Sequence, residues 1–336
     1  MTITDSASLP PLVRETDSIL TSANKWDHFL ARWGYKRSEH RVEAGLYALG
    51  APTPTSPVFV TANYTLSFDA LRSSLKGTAG HLLVLDTEGI NVWCAAGKKT
   101  FGTDELVHRI QATRLEDVVD HRRLILPQLG APGISAQEVK RHSGFKVDFG
   151  PVRAKDLPTY METGEATPEM RQVRFDLWDR IVLIPVELVQ VFLPMLVAAI
   201  VLFFAAGPLA AASAIIAVLA GAVLFPVLLP WIPTSAFSTK GFLLGGVAAM
   251  PFAVTALIMN PSSLWWDRLG WPLVYLLTIP PVAAFLALNF TGASTFTSRS
   301  WVKREIFTYV PIMAIMIGTG ILIVVTLSLV RLLGGT

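Results

Sequence analysis

Five apolar stretches after Arg180 constrain this chain more than any other feature. They run over residues 181–206, 209–229, 241–259, 271–290 and 309–330. Each is about the 20 residues that a helix needs to cross a hydrocarbon core. The charge pattern divides at the same place. Residues 1–180 hold 22 of the 28 Lys+Arg and 22 of the 25 Asp+Glu, so this half is neutral and the whole excess of +3 belongs to the apolar half. That excess flanks the hydrophobic segments, which argues against nucleic acid as its partner. A soluble chain carries about 25% charged residues; here they make up 16%, beside 52% hydrophobic, which excludes both a wholly soluble and a disordered protein.

The distribution of Lys and Arg at the span ends predicts orientation. With the N-terminus inside, the cytoplasmic set is Arg171, Arg174, Arg180, Lys240, Arg299, Lys303 and Arg304, against Arg268 and Arg331 outside. Residues 1–20 lack the basic start and apolar core of a signal peptide, which agrees with a cytoplasmic first half. The expectation is a multi-pass protein of the cytoplasmic membrane. Trp178, Trp231, Trp265, Trp266, Trp271 and Trp301 fall at span boundaries, as an interfacial belt does. A transporter is a competing reading. It requires ionisable groups within the spans, and Glu187, with Gln190 and Asn289, is the main candidate; Glu187 is also close enough to the headgroups for a snorkelling or pairing role. Five spans do not divide into equal repeats, and Pro280-Pro281 is expected to break one span without a counterpart. The sequence therefore favours an anchor.

The first half reads as a polar leader over residues 1–24, helical spacing at Trp26, Phe29, Leu30 and Trp33 within 26–49, and punctuation by Pro52, Pro54 and Pro57. Strand and helix signals then alternate. Strands are expected at 58–61, 81–85, 123–126 and 145–149, with helices at 66–75, 104–112 and 136–142. Ser135 and Glu138 make a capping box for the last helix, and Gly144 ends it. This alternation predicts an α/β fold with a parallel sheet covered on both faces, followed by an all-α membrane domain. The expected divisions are 1–50 (leader and helix), 51–170 (α/β domain) and 171–336 (five membrane helices).

In such a sheet a ligand sits outside the carboxyl ends of the strands. The segments expected there are 62–64, 86–102, 127–133 and 150–153, rich in Gly, Pro and small residues. Neither a dinucleotide fingerprint nor a complete phosphate loop is present; Gly97-Lys98-Lys99-Thr100 matches only the end of one. The single cysteine, Cys94, excludes an internal disulfide and an iron–sulfur cluster or four-cysteine zinc site made by this chain alone. A lone cysteine between Trp93 and Ala95 is compatible with a buried apolar residue. It is also compatible with a reactive one, because its segment lies at the ligand edge. In a helix, Lys98 would share its face, and a nearby cation favours the thiolate, the form that binds metals.

The run Asn91, Val92, Trp93, Cys94, Ala95, Ala96, Gly97, Lys98 resembles the signature of the HgcA family, the corrinoid proteins of the mercury-methylating pair HgcA and HgcB. Three further segments are similar to the corrinoid-binding domain shared with the large subunit of the corrinoid iron–sulfur protein. They are V-T-A-N-Y at 60–64, L-P-Q-L-G-A-P-G at 126–133 and G-F-K-V-D-F-G-P-V-R at 144–153. Five spans after this domain are also the family's architecture, so the resemblance extends over about residues 45–336. It implies a Rossmann-like domain holding a cobalamin-type corrinoid, base-off, with the Cys94 thiolate as lower axial ligand to cobalt. Thiolate donation opposite the cobalt–methyl bond would favour departure of the methyl group as a carbanion equivalent, which Hg(II) accepts.

Within the same resemblance, Asn91, Val92, Trp93, Ala95, Ala96 and Lys98 would orient the sulfur, and Gly97 and the alanines would let the segment lie flat under the ring. Thr61, Asn63, Tyr64, Gln128, Leu129, Gly130 and Ala131 would hold the nucleotide tail and amide edges. Thr61 and Asn63 are equally suited to capping a strand end. The implied partners are an HgcB-like ferredoxin with two 4Fe–4S clusters, a methyl-donor protein or methylated folate, Hg(II) as substrate, and the membrane. The alternative is a corrinoid methyl carrier of one-carbon metabolism with a different acceptor.

Overall fold

The computed structural model describes residues 12–259, 264–292, 294 and 299–333. The chain forms two compact units, Met1–Arg174 and Phe175–Thr336.

The first unit is built on a six-stranded sheet. Its strands are β1 (Val13–Thr16), β2 (Gly45–Leu49), β3 (Val58–Ala62), β4 (Gly80–Leu85), β5 (Arg123–Leu126) and β6 (Lys146–Phe149), in the order β1-β2-β4-β3-β5-β6. The four expected strands, β3 to β6, pair in parallel as expected; the unexpected β2 runs antiparallel to β4 and parallel to β1. The central strands β3 and β4 are buried along their whole length and mostly apolar, because both faces are covered. Val58 and Val60 of β3, with Leu83 and Leu85 of β4, pack under α3 (Val92–Lys98), α4 (Thr103–Ala112) and α5 (Ala136–Ser143). Phe59, Leu82 and Val84 pack on the other face under α2 (Thr65–Ser74) and α6 (Leu157–Thr163).

Two expectations for this unit are corrected. The leader over 1–24 contains a strand, β1, and the start of a helix, α1 (Ser22–Arg32); residues 1–11 lie outside the described residues. Strand β1 reads as polar because it pairs on one side only, at the sheet edge. The helical reading of 26–49 ends at Arg32, and Gly45–Leu49 forms β2, whose small and β-compatible residues sit between two neighbours. The remaining expected strands and helices fall within a residue or two of their places, and Ser135 Oγ accepts the Glu138 amide at 3.4 Å while Gly144 closes α5 with φ 76°.

The second unit has five helices long and apolar enough to cross a membrane: Leu177–Ala206, Pro208–Leu228, Phe237–Met259, Trp265–Gly292 and Ser300–Leu332. Gly207, at φ 87°, turns the first into the second. The expected break at Pro280-Pro281 does not occur, for one α-helix runs through both prolines from Trp265 to Asn289. Glycines on the neighbouring spans account for the close packing there. A Cβ on Gly245 would come within 2.6 Å of Pro280 Cα, one on Gly241 within 2.5 Å of Ala284 Cα, and one on Gly221 within 2.6 Å of Leu286 Cβ. Small residues of this kind let membrane helices approach backbone to backbone.

Candidate functional site

Cys94 lies in the first turn of the seven-residue helix α3, at the edge where β3, β4 and β5 end. The preceding turn is held by one side chain. Asn63, 3% exposed at the end of β3, uses its amide oxygen to accept from Thr87 N (3.1 Å), Thr87 Oγ1 (2.9 Å) and Gly89 N (3.0 Å). Its amide nitrogen donates to Asp86 Oδ1 at 2.9 Å. The turn needs this template because Glu88 and Gly89 both take positive φ, 59° and 72°. Asp86 N in turn donates to Glu105 Oε1 at 2.8 Å, which ties the turn to α4. The strand-capping role open to Asn63 in the sequence is the one its contacts fulfil.

Helix α3 starts at Asn91, whose Oδ1 accepts the Cys94 amide at 2.9 Å as an N-cap. Val92, Ala95 and Ala96 are buried and fix the helix to the core, while Trp93, Gly97 and Lys98 are exposed and Cys94 is a free, partly exposed thiol. Gly97 and Lys98, three and four residues on, share the outward face with Cys94. The 3-10 turn Gln128–Gly133 packs against this helix with no space for side chains. A Cβ on Gly133 would stand 2.2 Å from Phe101 O and 3.0 Å from Ala96 Cα, and one on Gly130 would stand 2.5 Å from the Phe101 ring. Gly130 is thus a packing residue, and Gln128 accepts from Arg171 Nη1 at 3.0 Å.

A cavity of 280 Å³ opens beside this helix start, between the ends of β3 and β5 and helix α2. Thr61, Tyr64, Asn91 and Leu129 line it, with Leu66, Pro127, Pro151 and Val152. It gathers four of the expected ligand-contacting residues. Asn63, Cys94, Gln128, Gly130 and Ala131 are not among its walls, and neither are Val92, Trp93, Ala95, Ala96, Gly97 and Lys98. Asn91 joins the two features, since it caps the cysteine helix and lines the cavity. Burial pushes the Tyr64 phenol above its ordinary range; Arg32 and Arg37 oppose that shift, while Asp27 and Cys94 add to it.

The sequence reading missed the polar network that fixes helix α1 against the start of α2. His40 Nδ1 meets Asp27 Oδ1 at 2.7 Å, and Thr65 Oγ1 donates to Asp27 Oδ2 at 2.8 Å. His28 Nε2 meets Asp69 Oδ2 at 2.7 Å, and Arg72 Nε donates to Asp69 Oδ1 at 2.6 Å. The residues come from three separated segments with no spacing motif among them. Among the described residues there is no group of three or more His, Cys, Asp or Glu suited to hold a metal ion by itself.

Residues 33–161 match the family described as CO dehydrogenase/acetyl-CoA synthase delta subunit. The chain is 34% identical over 128 residues to the acetyl-CoA decarbonylase/synthase complex subunit gamma of Archaeoglobus fulgidus, which covers 38% of this chain and 27% of that protein. It is 33% identical over 128 residues to the subunit of the same description from Methanopyrus kandleri, with the same coverage. It is 27% identical over 129 residues to the corrinoid/iron-sulfur protein large subunit of Moorella thermoacetica, covering 38% of this chain and 28% of that one. The chain thus spans little more than a quarter of the length of the curated relatives it matches. The family match holds strands β2 to β6, the cavity and α3, and it ends before the five membrane helices begin.

Proposed function

We propose that the α/β unit binds a corrinoid and that the chain is a membrane-anchored methyltransferase whose acceptor is Hg(II), giving methylmercury. One observation carries this reading. The chain's single thiol stands partly exposed on a helix that begins at a ligand-sized cavity, within a segment similar to subunits of corrinoid proteins.

The donor set fits a corrinoid. The ring's own nitrogens surround the cobalt, so a single protein donor completes the coordination, and no second protein ligand is required of the site. Cys94 is that donor in this reading. When bound, the corrinoid would supply a methyl group, and the Cys94 thiolate would donate more electron density to its cobalt than imidazole or water would.

The remaining residues hold and orient. Asn91 fixes the turn that presents the sulfur. Val92, Ala95 and Ala96 keep α3 rigid against the core, while Gly97 leaves the surface beside the sulfur free of a side chain. Trp93 and Lys98 flank it. Thr61, Tyr64, Asn91 and Leu129 would hold the nucleotide tail in the cavity. Asn63 acts through the turn, and Gln128, Gly130 and Ala131 act by seating the adjoining wall. Base-off binding, a cytoplasmic position of this unit, an HgcB-like ferredoxin as electron source and a methylated protein or folate as donor complete the proposal.

A second reading is favoured by the similarity to acetyl-CoA decarbonylase/synthase and corrinoid/iron-sulfur protein subunits: a corrinoid methyl carrier of one-carbon metabolism with another acceptor. The acceptor separates the two. The full chain, loaded with methylated corrinoid under a low-potential reductant, is offered Hg(II), a thiol or a nickel acceptor. Methylmercury as the main product, lost in Cys94→Ala, supports the first reading. Transfer to thiol or nickel with none to Hg(II) establishes the second.

A further inference from the structure

Helix α1 is amphipathic in the reverse sense. Its inward face is polar: Asp27 and His28 bond to His40, Thr65 and Asp69, and Ala31 is its one buried apolar residue. Its outward face is aromatic. Trp26, Phe29 and Trp33 are 61%, 47% and 42% exposed, and Tyr35 follows at 55%. The first three lie in a row, Trp26 stacked on Phe29 with centroids 5.2 Å apart and Phe29 tilted against Trp33 at 5.8 Å. Their spacing of three and four residues puts them on a single stripe. Nothing in the unit's core requires large aromatics there, since the helix is held by its polar face.

Cations surround the stripe. Lys25, Arg32, Lys36, Arg37 and Arg41 are exposed. Of the nearby carboxylates, Asp27 is turned inward onto His40, and Glu39 meets Lys36 at 3.0 Å. A Trp-rich face within a basic border is the chemistry that seats a helix in the headgroup layer of an anionic bilayer. The chain supplies the bilayer too. The unit that carries α1 ends at Arg174 and the first span begins at Leu177, so a membrane surface is always at high local concentration.

We propose that the Trp26–Phe29–Trp33 face of α1 docks on an anionic lipid surface. The inference is independent of what the cavity binds. The test uses the full chain in nanodiscs, in a Cys94→Ser background, with a spin label at Phe29→Cys and a second protein labelled at Gln137→Cys on α5. In nanodiscs containing anionic lipid, the label at 29 should collide several-fold more often with oxygen than with a water-soluble nickel chelate, and the label at 137 should show the reverse. Added salt, or nanodiscs of purely zwitterionic lipid, should lower the oxygen preference at 29. Trp26→Gln with Trp33→Gln should remove it while leaving the circular dichroism spectrum unchanged. A label at 29 that stays as open to the nickel chelate as the one at 137 overturns the proposal. So does a label at 29 that is shielded from oxygen and the nickel chelate alike whatever the lipid, which would make the stripe a protein-docking surface.

Discussion

Buried carboxylates and amines in the membrane unit and side-chain amides in the α/β unit serve different purposes. In the membrane unit, Glu305 is 3% exposed and accepts from Phe237 N, Ser238 N, Ser238 Oγ and Trp301 Nε1, so one carboxylate closes the amino end of the third span. Lys240 Nζ donates to Leu229 O and Ile232 O at 2.7 and 2.6 Å, just past the second span. Asp267 pairs with Arg331 at 3.0 Å. These groups finish helix ends, which is what an anchor requires. In the α/β unit side-chain amides shape a site. Asn63 builds the turn before α3, Asn91 caps α3, and the thiol they present is free. Glu305, Lys240 and Asp267 are therefore architectural, whereas Asn63 and Asn91 of the α/β unit hold the segment that carries a partly exposed thiol.

The largest effect should come from the membrane unit. Glu305→Ala leaves buried donors without an acceptor and should destabilise that unit by roughly 3–5 kcal/mol, read as a lower midpoint of thermal unfolding in detergent. Glu305→Gln should lose much less. Both should leave ligand binding by the α/β unit intact in the fraction that folds; equal loss of binding would break the division of roles. Next comes Gly133→Ala. Its Cβ would overlap Phe101 O, so α3 or the 128–133 turn must shift, at about 2–3 kcal/mol, with any bound cofactor released at lower denaturant.

Acid should act on the α/β unit through Asp69. Burial alone would raise this carboxyl, but the hydrogen bonds from His28 and Arg72 outweigh it and hold it below the usual aspartate range. Its folded value is depressed, so its contribution to stability is present above about pH 4 and is lost as the pH falls through that folded value. Chemical denaturation of wild type and Asp69→Asn across pH 5 to 3 checks this; the variant should show the shallower acid slope. The smallest effect is expected at the site. Asn91→Ala removes a helix cap worth about 1 kcal/mol yet should weaken cofactor retention out of proportion to that, with Asn91→Asp restoring most of it. A stability loss with unchanged retention would show that the cap does not position the sulfur.

Much of this division was legible in the sequence, for physical reasons. The spans announce themselves because lipid requires long uninterrupted apolar runs. Strands β3 and β4 were readable because burial on both faces makes them mostly apolar, and β5 and β6 because they continue the same alternation with helices. Strand β1 was not, because an edge strand such as Val13–Thr16 has only half of its surroundings to satisfy. Pro280-Pro281 misled because the signal for a helix break is local, while Gly245 on the neighbouring span accommodates the prolines at a distance. At the site, Cys94 and Asn91 were marked by their motif. The inward role of Asn63 depends on three donors brought up by a turn 24 to 26 residues away, and the packing role of Gly130 depends on Phe101. Neither is written in local spacing.

The direct test of Cys94 as the cobalt ligand is the visible spectrum and cobalt content of the purified full chain beside Cys94→Ala and Cys94→His. Wild type should carry cobalt with a corrinoid spectrum. Cys94→His should retain cobalt with shifted bands, because imidazole can still ligate, and Cys94→Ala should lose the ligand-dependent bands. A spectrum identical in all three proteins, at equal cobalt content, would show that the thiol does not touch the metal.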